Sequence, residues 1–109
     1  MSDVIERLFL VLKDRRDADP SVSYVASLHE AGLNKILEKL GEETIETVIA
    51  AKDAAVSTDV TEVIKETADL WFHTLVMLDH LEISPANIFA ELENRFGTSG
   101  IAEKQSRNN

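Results

Sequence analysis

The 109-residue chain has no cysteine, two prolines, four glycines and few aromatic residues, 6% in all. Without cysteine there are no disulfides, thiol nucleophiles or Cys-rich zinc sites. Basic residues are also scarce: 11 Lys and Arg face 20 Asp and Glu, for a formal charge of −9. That balance disfavours binding by neutralisation of nucleic-acid phosphates, so no nucleic-acid partner is expected, and a nucleotide partner would need metal ions as intermediaries. No apolar run approaches the length of a membrane span, and the short N-terminal run from Leu8 to Leu12 lacks the shape of a signal peptide. What remains, 44% hydrophobic and 28% charged, is the profile of a soluble helical protein with a modest core. A single cytoplasmic domain over residues 1–109 is expected, with no membrane partner, a tail from about residue 98, and association that buries further apolar surface.

Apolar residues at helical spacing predict where the helices lie. Val4, Ile5, Leu8, Phe9 and Leu12 mark a first helix ending before Pro20, with Asp3 and Glu6 spaced as a capping box. The stretch DADPSVSYVASLHEAGLNK mixes turn formers with isolated apolar residues, which predicts a loop with a helical turn around Val25 to Glu30. Loops of this length are often functional. From Leu33 to about Val56, the residues Ile36, Leu37, Leu40, Ile45, Val48 and Ile49 predict a long helix despite Gly41. Another long helix follows, with Ser57, Thr58 or Asp59 as N-cap and an end near Leu81. Its second half is apolar on most sides, which places it deep in the core or in a subunit interface. Ser84 and Pro85 open a last helix that stops near Phe96, ahead of Gly97. The expected fold class is all-α, a bundle of about four helices.

The segment GEETIETVIAAKDA, Gly41 to Ala54, sets carboxylates among apolar neighbours, where like charges repel and burial removes hydration. At about 100° per residue, Lys39, Glu43, Glu46 and Ala50 share one stripe of that helix, with Glu42 at its edge. Glu62, Glu66, Asp69 and His73 share a stripe of the next helix. Two residues separate Glu43 from Glu46, and two separate Glu66 from Asp69. A short turn between antiparallel helices brings such pairs face to face. Either pair alone reads as a solvated helix surface. Both together, on helices otherwise this apolar, read as four carboxylates converging on hard divalent cations, Mg²⁺ or, as a substitute, Mn²⁺, which prefer oxygen ligands. Glu62 reads as solvated.

Other chemistries lack their residues. There is no Gly-x-x-x-x-Gly-Lys phosphate loop and no His-Glu-x-x-His. The Glu-x-x-His pairs of a ferritin-like di-iron site are missing, since Ala26, Leu70 and Met77 stand three residues before His29, His73 and His80. His73 reads as a buried or interface histidine, with an outer hydrogen-bonding role near Asp69 as the alternative. Trp71 reads as core, and Tyr24 is the better-placed aromatic for touching a base.

Three segments carry a resemblance to a known family: SYVASLHEAGLNKILEKLGEETIETVIAAK (23–52), ETADLWFHTLVML (66–78) and ELENRFGTSGIAEKQSR (91–107). Together they resemble phosphoribosyl-ATP pyrophosphatase of histidine biosynthesis. The Glu-Glu-x-x-Glu and Glu-x-x-Asp pairs alone resemble only the wider MazG-like all-α nucleotide pyrophosphohydrolases. Ser23-Tyr24, Lys35 to Glu43 and Ser99-Gly100 to Arg107 are the more specific parts. The resemblance implies Mg²⁺-dependent hydrolysis of phosphoribosyl-ATP to phosphoribosyl-AMP and pyrophosphate, in a helical homodimer with MazG-like architecture. It implies metal binding by Glu43, Glu46, Glu66 and Asp69, with Glu42 as the accompanying acidic residue. Ser23, Tyr24, Lys35 and Lys39, and in the C-terminal part Arg95, Lys104 and Arg107, match positions implied to contact substrate. The chain is too short to carry the phosphoribosyl-AMP cyclohydrolase found fused in many organisms, so a stand-alone pyrophosphatase is expected.

On that basis metal-activated water attacks phosphorus at the α–β anhydride, with Glu42 or Glu46 accepting its proton and Lys39 or tail cations steadying the phosphates. Two alternatives share parts of the pattern. One is a housekeeping pyrophosphatase of ordinary or damaged nucleoside triphosphates, and the other is a non-catalytic helical module whose acidic stripe binds a basic partner.

Overall fold

The computed structural model describes residues 3–96, which form five helices and, among the described residues, no strand. They are α1 (Val4–Arg15), α2 (Tyr24–Ala31), α3 (Leu33–Ser57), α4 (Thr61–His80) and α5 (Pro85–Phe96). None of these helices is long and apolar enough to cross a membrane.

The all-α expectation holds, with α2 as the added element. Where a loop with a single helical turn is expected, the chain forms eight helical residues. Ser23 caps them by accepting a hydrogen bond from the Ala26 amide at 3.2 Å, and Val25, Ala26 and Leu28 bury one face. The capping box at the start of α1 does not form: the Asp3 carboxylate is taken by the Arg7 guanidinium one turn on, at 2.9 Å, and caps no amide. Gly41 lies within α3 without breaking it. Before α4, Asp59 Oδ1 accepts from the Thr61 amide at 3.0 Å and from its hydroxyl at 2.7 Å, closing the turn that follows α3. Ser84 and Pro85 start α5 as expected, with the Ser84 hydroxyl accepting from the Ala86 amide at 3.1 Å.

Phe9, Leu12, Val25, Leu28, Ile36, Leu75, Val76 and Leu78 form the core, so it lies where α1, α2, the start of α3 and the second half of α4 meet. Leu12, Ile36 and Val76 are fully buried. A polar junction borders this core: His29 and His80 stack and share a hydrogen bond between their Nδ1 atoms at 2.9 Å, and Arg16 donates to the Asp79 carbonyl at 2.9 Å. Away from the core, α3 and α4 continue as an antiparallel hairpin. Its outer side exposes Ile45, Val48, Ile49 and Val56 on α3, Val60 at the N-cap of α4, and Ile64 and Trp71 on α4. Trp71 is therefore not a core residue of the chain; it faces outward on the stripe begun by Val60 and Ile64.

Gly32 alone separates α2 from α3, serving as C-cap of one and N-cap of the other. Its φ of 102° is a conformation that side chains with a Cβ rarely adopt, so this tight joint depends on glycine.

Two substitutions are expected to act in opposite directions in urea unfolding. Leu12→Ala removes a fully buried side chain and should cost about 3 kcal/mol. Gly41→Ala adds a Cβ that meets nothing within 4 Å, and should raise stability by about 0.5–1 kcal/mol.

Candidate active site

The α3–α4 hairpin fixes the acidic residues against one another. Thr47 lies on the inner side of α3, and its hydroxyl is 2.7 Å from the Glu43 carbonyl and 3.2 Å from the Glu66 carbonyl. One proton is thus shared between the two helix backbones at the level of the site. Around this contact Glu43, Glu46 and Glu66 each bring a carboxylate oxygen within 4.8 Å of the others.

These carboxylates are short of partners. Glu43 is 8% exposed, and Oε2 of Glu43 and Oε2 of Glu66 are buried without any hydrogen bond. Burial, and then the negative charge of Glu46, push the Glu43 carboxyl above its usual range. Glu66 is pushed up to about 7, first by sharing a proton with Glu46 and then by desolvation and the neighbouring negative charges. Orphaned, desolvated carboxylate oxygens at this spacing are what a divalent cation requires, so the cluster can hold a metal ion.

Of the four expected ligands, the structure brings these three together. Asp69 stands outside the tight group and is exposed, although its charge reaches both Glu43 and Glu66. A cleft of about 230 Å³ opens beside the cluster, lined by Glu46, Ile49, Ala50, Asp53, Glu62 and Glu66. Asp53, which carries no motif of its own, continues the stripe of Glu46 and Ala50 at helical spacing. Glu62 is solvent-exposed, as expected, and also forms part of the cleft wall. A larger hollow of about 550 Å³, lined by residues including Phe9, Arg16 and Asp79, lies about 20 Å further along α4 and contains none of the cluster.

The remaining candidates divide by position. Lys39 pairs with Glu42 at 2.9 Å; that ammonium holds the Glu42 carboxyl below its usual range, and Lys39 is correspondingly raised. Lys35 pairs with Glu38 at 3.5 Å, and its charge also reaches Glu42. Ser23 serves as the cap of α2. Tyr24 opens α2, half-exposed, with its hydroxyl 2.9 Å from His73 Nε2. His73 itself is buried. Arg95 pairs with Glu91 at 3.1 Å on α5, which packs against α1. Lys104, Arg107 and the expected tail lie outside the described residues.

A family model for phosphoribosyl-ATP pyrophosphohydrolase matches residues 5–96, from α1 to the end of α5. The chain belongs to that family. As a phosphoribosyl-ATP pyrophosphohydrolase it is a hydrolase of a phosphoanhydride bond in histidine biosynthesis, and phosphoribosyl-ATP is its substrate. Membership sets aside the non-catalytic interaction module.

The raised carboxyls set a direction for stability with pH. A carboxyl whose folded pKa lies above its unfolded value stabilises the fold below the unfolded value of 4.5, and that contribution is lost as pH rises through the folded value, about 7 for Glu66. His29 works the other way: burial, and then Arg16, hold its imidazole below 6.5, so its contribution is lost as pH falls. Comparing Glu66→Gln with wild type at each pH isolates the first effect. In EDTA the variant should match wild type near pH 4.5 and melt several degrees higher at pH 8, as read by circular dichroism.

Proposed function

We propose that the chain hydrolyses the α–β anhydride of phosphoribosyl-ATP to phosphoribosyl-AMP and pyrophosphate, at Mg²⁺ held by Glu43, Glu46, Glu66 and Asp69. The observation that carries this reading is the meeting of three carboxylates across α3 and α4, two of them with buried oxygens that have no partner. When bound, Mg²⁺, with Mn²⁺ as a substitute, supplies charge neutralisation for the phosphates and lowers the pKa of a water.

The protein's own groups have separate tasks. Glu43 is the most enclosed carboxylate and anchors the site from α3, while Glu66 anchors it from α4. Asp69, one turn beyond Glu66 and still open to solvent, is free to complete the ligand set. Glu42 is tied to Lys39 and held below the usual carboxylate range, which makes it a poor proton acceptor. Glu46 faces the cleft, and we assign the general base to it. Lys39, with Lys35 one turn before it and Arg95, Lys104 and Arg107 further along the chain, provides cations for the substrate's phosphates. Ser23 contributes through its cap, which sets where Tyr24 begins α2.

The functional unit we propose is a homodimer formed by the single domain. The exposed stripe from Ile45 to Trp71 is far more apolar than a solvated hairpin requires. A radius of gyration of 16.6 Å also exceeds the roughly 13 Å of a compact chain this size, as expected if the hairpin is completed by a second copy. In sedimentation, wild type should run as a dimer, and Ile64→Glu should shift it toward monomer.

Pyrophosphate release from phosphoribosyl-ATP tests the chemistry. Release should require Mg²⁺ and fall by at least about a hundredfold in Glu46→Gln, with ATP turned over far more slowly by wild type. Near-normal release by Glu46→Gln at saturating Mg²⁺ would remove Glu46 from the site. Equal turnover of ATP would move the activity to the broader triphosphate pyrophosphatases.

A further inference from the structure

Tyr24 and His73 join α2 to α4 beside the acidic cluster, and with the imidazole neutral their hydrogen bonds place the protons of the pair. His73 Nδ1 is 2.8 Å from the Asp69 carbonyl oxygen. A carbonyl only accepts, so Nδ1 carries a proton; in the neutral ring Nε2 is then bare. The Tyr24 hydroxyl, 2.9 Å from Nε2, is therefore the donor. Its single proton is committed to His73, and the phenolic oxygen is left able only to accept.

That oxygen is held in place and remains reachable. The Tyr24 ring stacks on Phe72 at 6.3 Å and meets His73 edge-on at 5.9 Å, while the residue as a whole is 50% exposed. Lys39, Glu43, Glu42 and Asp69 are all close enough to act electrostatically on the phenol, and burial raises its pKa, so it keeps its proton. The pair thus stands at the edge of the site that the preceding section assigns to the phosphates, and the inference rests on that assignment.

We propose that His73 is a positioning residue that presents the Tyr24 oxygen to the substrate as an acceptor for a ribose hydroxyl. An ionised phosphate oxygen has no proton to offer, so an acceptor-only phenol beside carboxylates is mismatched to phosphate. The ribose is bonded directly to the α-phosphate, and its hydroxyls are the neutral donors that come nearest when the phosphates lie at the cluster. Tyr24 accordingly reads the sugar, and His73, without touching the substrate, decides which way its proton points.

The test compares phosphoribosyl-ATP with analogues lacking the 2′- or the 3′-hydroxyl of the ribose that carries the triphosphate. In wild type, one analogue should show a KM about tenfold higher with little change in kcat, the effect of one lost hydrogen bond. Tyr24→Phe keeps the ring and should use that analogue and the full substrate with equal KM. His73→Leu should lose the same discrimination, and His73→Gln, whose amide oxygen can still accept from the phenol, should recover part of it. Undiminished discrimination in Tyr24→Phe, or none in wild type, overturns the proposal; undiminished discrimination in a folded His73→Leu removes His73 from it. If His73→Leu does not fold, the Tyr24→Phe comparison decides. A wild-type enzyme that releases no pyrophosphate from phosphoribosyl-ATP overturns the functional reading, and this inference with it.

Discussion

Glu43, Glu46 and Glu66 confront one another across the α3–α4 seam, and Coulomb repulsion between them opposes the packing of the two helices. Against that repulsion stands the backbone. The Thr47 hydroxyl bridges the Glu43 and Glu66 carbonyls, and Ala50 is buried one turn beyond Glu46. A hairpin bridged at the level of its own acidic cluster resists splaying to relieve the charge. Sharing protons or taking up a cation relieves the charge without parting the helices.

The arrangement also separates duties along α4. Its second half, with Leu75, Val76 and Leu78, supplies the core against α1, α2 and the start of α3, while its first half carries Glu66 and Asp69. Burial near the C-terminal end offsets the electrostatic cost near the other end, and one rigid helix transmits that support over several turns. His73 sits at the changeover. It is buried like a core residue, yet its two ring nitrogens reach the backbone of Asp69 and the hydroxyl of Tyr24.

Periodicity in the sequence locates α3, α4 and α5 closely, because long apolar stripes and the Ser84-Pro85 pair are local signals that packing reinforces. The paired spacing of Glu43 with Glu46 and of Glu66 with Asp69 likewise anticipates that carboxylates of the two helices meet, as Glu43, Glu46 and Glu66 do. Spacing gives the angle of a residue about its own helix but not the rotation of one helix against another. It therefore cannot tell that Glu66 enters the tight group while Asp69 stands outside it, or that Asp53 lines the cleft. Contacts between distant segments, such as Thr47 with Glu66 and Tyr24 with His73, have no local trace. At the N-terminus a local rule loses to a local rival, since Arg7 draws off the carboxylate that a capping box would use. The helical turn expected around Val25 to Glu30 is extended to the eight residues of α2 for a different reason: so short a segment shows no convincing period and is stabilised mainly by the core it covers.

Gly32 gives the molecule an unusual intolerance to changes in length. The segment of residues 16–23 and the turn at residues 58–60 can absorb extra residues as slack, but a joint one residue long has none. An insertion within the first turns of α3 would rotate everything beyond it by about 100° and advance it by about 1.5 Å relative to α2. Tyr24 would then face a different side of the helix that carries Glu43. The phase between Tyr24 and the acidic cluster is thus recorded in a count of amino acids.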